Sequence, residues 1–429
     1  MNATIRPVRA PLHGEIEVPG DKSISHRALL LAALADGDSR IGGLLSGGDC
    51  RATRACLAAL GVEVEDAAGG AVVVHGVGLR GFAEPARPID CGRSGTTMRL
   101  LSGILAGQRF CTTLTGDPQL LQRPMGRIVE PLRAMGAHIE ATDGRAPLSI
   151  VGAPLRGTAH DLPVASAQAK SALLLAGLLA KGSTTIRQPG PARDHTERLL
   201  AAMGADVRTH GLAVTIDPRD PLHTFSIRVP GDASSAAFPL VAALLIPGSE
   251  IVLRGVGLNP TRIGLIEVLQ RMGASIRIDA ERIEGGEPVG DLLVRSSTLS
   301  AVSIGGDTAV RMIDEFPILA VAASFAHGRT VVCDAEELRV KETDRICTIV
   351  SELRTLGARI EERPDGFVVD GPTSLRGGIV DSHRDHRLEM ALTVAGLAAQ
   401  GAVTVRQAEY AADSYPGFLD QLRMLGGER

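Results

Sequence analysis

The chain has 429 residues, too many for one ordinary hydrophobic core, so two domains are expected. A formal charge of −4 excludes a general nucleic-acid binder, and basic residues in any site must be gathered locally. Hydrophobic residues make up 44% but aromatics only 2%, with no Trp, so Ala, Leu, Val and Ile must build the core.

The first predicted element is an apolar helix opened by P-G-D-K-S-I-S-H-R, Pro19 to Arg27. Lys22, Ser23, His26 and Arg27 stand just before and inside its first turn, where the helix macrodipole favours negative charge. A cap by Ser23 or Ser25 explains the serines and leaves the cations unexplained. Gly14 to Ser23 misses the P-loop spacing, and Asp21 would repel phosphates, which excludes a nucleotide-triphosphate kinase.

Further along, L-x-x-[LM]-G occurs six times, ending at Gly61, Gly136, Gly204, Gly273, Gly357 and Gly426. The spacings are 75, 68, 69, 84 and 69 residues, and each copy reads as a helix closed by a C′ glycine. An interleaved Ala/Leu helix ends at Gly37, Gly107, Gly182, Gly248, Gly328 and Gly401, each time before a β-branched strand. The pattern predicts an α/β fold of six strand–helix–strand–helix units. V-P-G-D at Val18–Asp21 recurs at Val229–Asp232, 211 residues or three units later. Twin crossings there predict an N-terminal three-repeat domain over 21–229. The C-terminal three-repeat domain takes 1–20 plus 230–429.

The Ala/Leu helices open with DKSISHR, GRSGTTMR, SAQAKS, GDASSA, RMIDEFP and DHRLEM. Capping accounts for Ser, Thr and Asp but not for Lys22, Arg27, Arg99, Lys170 or Arg387. Helix starts bind anions, so these cations suit a phosphate or carboxylate ligand. Taken alone, Asp385-His386-Arg387 also fits an ordinary helix start, and Lys341 to Arg345 a solvated helix face. Six cysteines without a C-x-x-C pair predict reduced thiols and no metal site. MNATIRPVRAPLHG has no signal-like apolar region, and the longest apolar runs fall short of a membrane span. The expected setting is the cytoplasm, without a membrane or nucleic-acid partner.

Pro19–Arg27, Ser94–Arg99 (S-G-T-T-M-R), Arg339–Arg345 (R-V-K-E-T-D-R), Asp385–Arg387 and Arg123–Met125 together resemble the 5-enolpyruvylshikimate-3-phosphate (EPSP) synthase family. The likeness runs nearly end to end. It implies two inside-out α/β globes of three βαβα-type repeats, a monomer with no cofactor, and two small-molecule substrates. The implied reaction moves the enolpyruvyl group of phosphoenolpyruvate to the 5-hydroxyl of shikimate 3-phosphate and releases phosphate, within aromatic amino-acid biosynthesis.

The resemblance assigns roles residue by residue. Lys22 and Glu342 match the proton-transfer pair, and Asp314 the carboxylate that meets the target hydroxyl, with Lys341 beside it. Lys22, Gly95, Arg123, Gln168, Arg345 and Arg387 match the phosphoenolpyruvate site, with His386 supporting. Lys22, Ser23, Arg27, Ser166, Gln168, Arg193, Asp314 and Lys341 match the 3-phosphoshikimate site. Arg93, Ala167, Gly190 and Asp413 depart from the family pattern, where Asn, Ser, Tyr and Lys are found in many or some members. Two rivals differ in chemistry. A UDP-N-acetylglucosamine enolpyruvyl transferase calls for a Lys-Asn pair and a loop cysteine, which Lys22-Ser23 and Gly116–Leu121 do not supply. A phosphate- or RNA-end-binding module would not want Glu342 beside Lys341.

Overall fold

Helices α1 (Lys22–Leu34), α2 (Gly95–Ala106), α3 (Ala167–Leu179), α4 (Ala233–Leu245), α5 (Phe316–Phe325) and α6 (His386–Ala398) carry the architecture. They are apolar on every side, and such helices are stable only when wrapped on every side. Accordingly every residue from Ile24 to Leu34 in α1, and from Ala169 to Leu179 in α3, is buried. The computed structural model describes residues 1–218 and 221–427. Positions 219, 220, 428 and 429, which the expected domain ranges include, lie outside the described residues.

The chain divides into two compact units. The N-terminal unit is Gly20–Val229 with Glu284–Glu287, and the C-terminal unit is Met1–Pro19, Pro230–Ile283 and Pro288–Arg429. The change of unit falls inside each V-P-G-D tetrapeptide. Each unit has its own contiguous apolar core.

In the N-terminal unit, α1, α2 and α3 each belong to a repeat with a four-stranded sheet. The second repeat shows the pattern. Ile89–Asp90 runs parallel to Cys111–Thr115, which pairs antiparallel with Arg145–Val151, whose hairpin partner is His138–Thr142. The unit of repetition is therefore β-α-β-α-β-β, two strands longer than the expected βαβα. The second helix is closed by a glycine with positive φ at Gly61, Gly136, Gly204, Gly273 and Gly357, and a hairpin follows it directly. In the sixth copy the left-handed residue is Gly427, and Gly426 has φ −81°.

The C-terminal unit repeats this plan around α4, α5 and α6 with one substitution. Its last sheet has three strands, and Asn2–Ile5 pairs antiparallel with Val403–Arg406 where the other repeats use their own hairpin. Among the described residues no helix is long and apolar enough to cross a membrane.

Close helix contact needs small residues. A Cβ on Gly103 of α2 would lie 2.1 Å from the carbonyl oxygen of Ala172 in α3. Because backbone cannot rotate aside, Gly103→Ala forces the two helices apart and costs about 1–3 kcal/mol of stability. Thermal unfolding checks this: the variant melts several degrees lower, and an unchanged melting temperature refutes the contact.

Candidate active site

The polar residues sit where the buried helices begin. In the N-terminal unit Asp21 caps α1 through Ile24 N (2.9 Å), Ser94 caps α2 through Thr97 N (3.2 Å), and Ser166 caps α3 through Ala169 N (3.3 Å). The Lys22 ammonium donates to Asp49 Oδ2 at 3.1 Å. Arg27 is buried, and its guanidinium donates to the Ser23 carbonyl (2.9 Å), Ser171 Oγ (2.8 Å) and Thr196 Oγ1 (2.7 Å). Burial lowers its pKa to about 10 against the opposing pull of Glu197, so it stays protonated at neutral pH. Arg193 donates to Ser23 Oγ at 3.2 Å. Ser23, Arg27 and Arg193 thus form one group.

A second group surrounds Gly95. Gln168 accepts from Arg99 at 2.7 Å and donates to Thr96 Oγ1 at 2.9 Å, while Arg99 also donates to the Pro124 carbonyl at 3.2 Å. A Cβ on Gly95 would lie 2.9 Å from Arg99 NH1 and 3.0 Å from Arg123 NH1. Gly95, Arg99, Arg123 and Gln168 therefore share one small space. A side-chain chain joins the starts of α1 and α2: His26 Nδ1 to Thr53 Oγ1 (2.6 Å), Thr53 to Thr97 (2.7 Å) and Thr97 to Ser94 (2.7 Å).

Two residues of the opening motifs are less cationic in effect than their letters. Burial lowers His26 to a pKa of about 3, outweighing Asp49, so it is a neutral structural histidine. Lys170 is paired with Glu197 at 2.5 Å, both nearly buried.

In the C-terminal unit Arg345 is the hub. Its Nε donates to Asp385 Oδ2 (2.7 Å), NH1 to Asp314 Oδ1 (3.3 Å), and NH2 to Glu342 Oε2 (2.6 Å) and Asp385 Oδ1 (3.3 Å). Burial works against its charge, but the carboxylates of Asp385, Glu342 and Asp314 outweigh that and raise its pKa. Lys341 reaches Asp314 Oδ1 at 3.5 Å. Asp385 also caps α6 through Arg387 N at 2.8 Å, which puts His386 and Arg387 in the first turn beside this cluster. Four of the five Arg345 donors are directed at carboxylates. By contrast, among the described residues the Arg387 guanidinium makes no hydrogen bond, and Glu315 Oε1 lies 3.6 Å from its NH1.

Each sequence-derived residue lies at or beside a helix start. Asp49 and Glu315 join them, although the sequence reading gave these two no role; Arg99 and Asp385, a cation and a motif residue there, now have named partners. Of the departures, Arg93 donates to Gln119 at 2.7 Å, and Asp413 ends the short 3₁₀ turn Ala411–Asp413. Among the described residues, two carboxylate–histidine clusters have donor atoms spaced for a metal ion, Asp194–His195–Glu287 and Glu63–Glu65–His75. In the first, His195 Nδ1 meets Glu287 Oε1 at 2.8 Å and Arg198 holds Asp194 at 2.9 Å, so each carboxylate already has a protein partner.

The family model for EPSP synthase (3-phosphoshikimate 1-carboxyvinyltransferase) matches residues 8–422. The chain belongs to the EPSP synthase family. It is 54% identical over 423 residues to the 3-phosphoshikimate 1-carboxyvinyltransferase of Gloeobacter violaceus, covering 98% of each chain. It is 52% identical to the enzyme of that name from Geobacter sulfurreducens, covering 96% of each. Among solved structures, an EPSP synthase from Acinetobacter baumannii matches with TM-score 0.88 and 43% identity, over 99% of this chain and 97% of that one.

One carboxylate of this EPSP synthase family member titrates near neutrality. Glu389 of α6 accepts the backbone N–H groups of Tyr410 and Ala411, each at 2.8 Å, just before Asp413. Burial pushes its carboxyl up from 4.5 to about 7, against those two donors and with Glu409 and Asp413 adding to the rise. A raised acid pKa adds stability that is full below the ordinary value and lost as pH climbs through the folded value. Glu389→Gln mimics the protonated form, so its stability relative to wild type rises between about pH 4.5 and 7 and levels off above, by up to about 3 kcal/mol. Melting curves across that range check it, and a constant difference refutes it.

Proposed function

We infer that this chain transfers the enolpyruvyl group of phosphoenolpyruvate to the 5-hydroxyl of shikimate 3-phosphate, releasing phosphate. The observation that carries the reading is the C-terminal cluster, where Asp314, Lys341 and Glu342 are held around the buried Arg345. Anion binding alone needs cations, whereas carboxylates placed among them suit proton transfer. Family membership and names shared by relatives at 52–54% identity support the same reaction.

In this reading Asp314 takes the proton of the attacking hydroxyl, whose oxygen bonds to C2 of phosphoenolpyruvate. Lys22 and Glu342 handle the proton that the methylene carbon gains and, after a tetrahedral intermediate, loses. Departure of phosphate with that proton restores the double bond. Arg123, Arg345 and Arg387 stabilise the charge of the donor, in a way that water cannot match once excluded. Gly95 leaves room for the donor beside Arg123. Ser23, Arg27, Ser166, Gln168 and Arg193 hold shikimate 3-phosphate, the serines and glutamine by hydrogen bonds and the arginines by charge. Arg345 serves first to fix three carboxylates, and Arg387 has the donors ready for a ligand. Six cysteines without a C-x-x-C pair support a reducing, cytoplasmic setting.

Phosphate release with shikimate 3-phosphate as acceptor tests the reading, and turnover with UDP-N-acetylglucosamine in its place overturns it. Glu342→Gln keeps the hydrogen bond to Arg345 without the proton-transfer group. It lowers kcat about 10²–10⁴-fold with both substrates still bound, and equal loss of binding shows Glu342 to be structural. Lys22→Ala abolishes turnover while the melting temperature stays within a few degrees. Gly95→Ala crowds two guanidinium groups and raises the KM for phosphoenolpyruvate, with the KM for shikimate 3-phosphate unchanged.

A further inference from the structure

Two buried ion pairs in the C-terminal unit meet at one hydroxyl. Arg262 NH2 donates to Asp232 Oδ1 at 2.7 Å and to Ser234 Oγ at 2.9 Å. Asp232 caps α4 through Ser234 N at 2.8 Å. The Ser234 hydroxyl, having accepted from Arg262, donates its own hydrogen to Glu315 Oε1. That same oxygen faces Arg387 NH1 at 3.6 Å, beyond hydrogen-bond range. The Glu315 and Arg387 side chains are 2% and 5% exposed. Oε2 of Glu315 is buried and, among the described residues, accepts no hydrogen bond.

The charges are two plus and two minus, and the hydroxyl decides how they pair. Asp232 neutralises Arg262. Among the described residues Glu315 is the one carboxylate within 4.0 Å of Arg387. Without it, a buried guanidinium would stand uncompensated, which is costly. If the two groups closed into a short hydrogen-bonded pair, the guanidinium donors would be taken and an incoming anion would have to displace Glu315. Ser234 supplies the intermediate state, because a carboxylate oxygen bound to its hydroxyl stays back from Arg387.

We propose that Ser234 and Glu315 set the affinity of Arg387 for anions, Glu315 as its counter-ion and Ser234 as the tether that keeps that counter-ion out of hydrogen-bond range. The proposal rests on Arg387 being part of the phosphoenolpyruvate clamp. It makes Glu315 a positioning residue that touches no substrate. Its neighbour in sequence is Asp314, so one short segment aligns a reacting carboxylate and balances a binding cation.

The two residues pull in opposite directions, and this gives the test its signature. Glu315→Gln removes the competing charge, so the KM for phosphoenolpyruvate falls at least fivefold while the ligand-free protein melts lower. Ser234→Ala releases Glu315 onto Arg387, so that KM rises at least fivefold. Glu315→Asp keeps the charge and stays within twofold of wild type. The KM for shikimate 3-phosphate moves less than twofold throughout. Equal KM values for phosphoenolpyruvate in wild type and Ser234→Ala, or a rise in Glu315→Gln, overturn the proposal. If Glu315→Gln does not fold, the Ser234→Ala and Glu315→Asp pair decides it. Should wild type fail to turn over, the proposed function falls. Inorganic phosphate titrated against melting temperature then reads the balance at Arg387: a larger shift in Glu315→Gln than in wild type supports the proposal, and an equal shift overturns it.

Discussion

A helix that is apolar on every side can meet water, or a ligand, only at its ends. Six such helices are buried in this chain, and their carboxyl ends are occupied by the turns into the strands. Their polar chemistry is therefore gathered at six helix starts, beside which shorter helices such as Arg345–Thr355 begin. Five of them are closed by a side chain accepting a backbone N–H: Asp21, Ser94, Ser166, Asp232 and Asp385. The sixth, α5, has no such cap, and Glu315 at that position sends its carboxylate to Ser234 and Arg387 instead. The remaining first-turn N–H groups and the macrodipole favour anions at each start. Within each unit, the place of the polar clusters follows from burying the helices, before any catalytic residue is considered.

Most charges around these starts come in compensated sets. Lys22 has Asp49, Lys170 has Glu197, Arg262 has Asp232, and Arg345 has three carboxylates. Buried pairs of this kind contribute little net stability, because desolvation offsets most of the attraction. What they do fix is geometry. A guanidinium held by Asp314, Glu342 and Asp385 dictates where all three carboxylates point, and a proton-transfer group is useful only if its direction is set in advance.

The repeat was legible because glycine at a left-handed helix end has few substitutes, so its spacing survives in the letters. The return strand of each hairpin was not. Segments such as Ala71–Val77 read as β-branched runs, but nothing local says which strand they pair with. The same limit applies to the site. Lys22, Arg27 and Arg387 stood out by breaking a local rule at a helix start. Asp49 and Glu315 obey every local rule, one as an acidic residue in a first turn and the other as a polar residue before a Pro-containing helix. Their roles arise from partners 27 residues away for Asp49 and 81 for the Ser234–Glu315 bond. His26 shows the converse, since a basic letter in a cationic motif is neutral once buried.

The pairing of Asn2–Ile5 with Val403–Arg406 bears on how the protein is made. Thr4 meets Thr404 across 400 residues of chain. A ribosome releases the first of these strands long before its partner exists. The intervening repeats of the N-terminal unit, from Gly20 to Val229, already contain nearly all the strands they pair with. Synthesis thus yields one unit able to fold early, while His13–Glu17 waits for Glu250–Gly257 and Asn2–Ile5 waits unpaired for the last repeat of the other. Closing so long a loop costs entropy that grows only slowly with length, but the exposed edge persists for the whole of that interval. The waiting strand Asn2–Ile5 is short and flanked by Arg6 and Arg9, charges that discourage edge-to-edge pairing until its proper neighbour emerges.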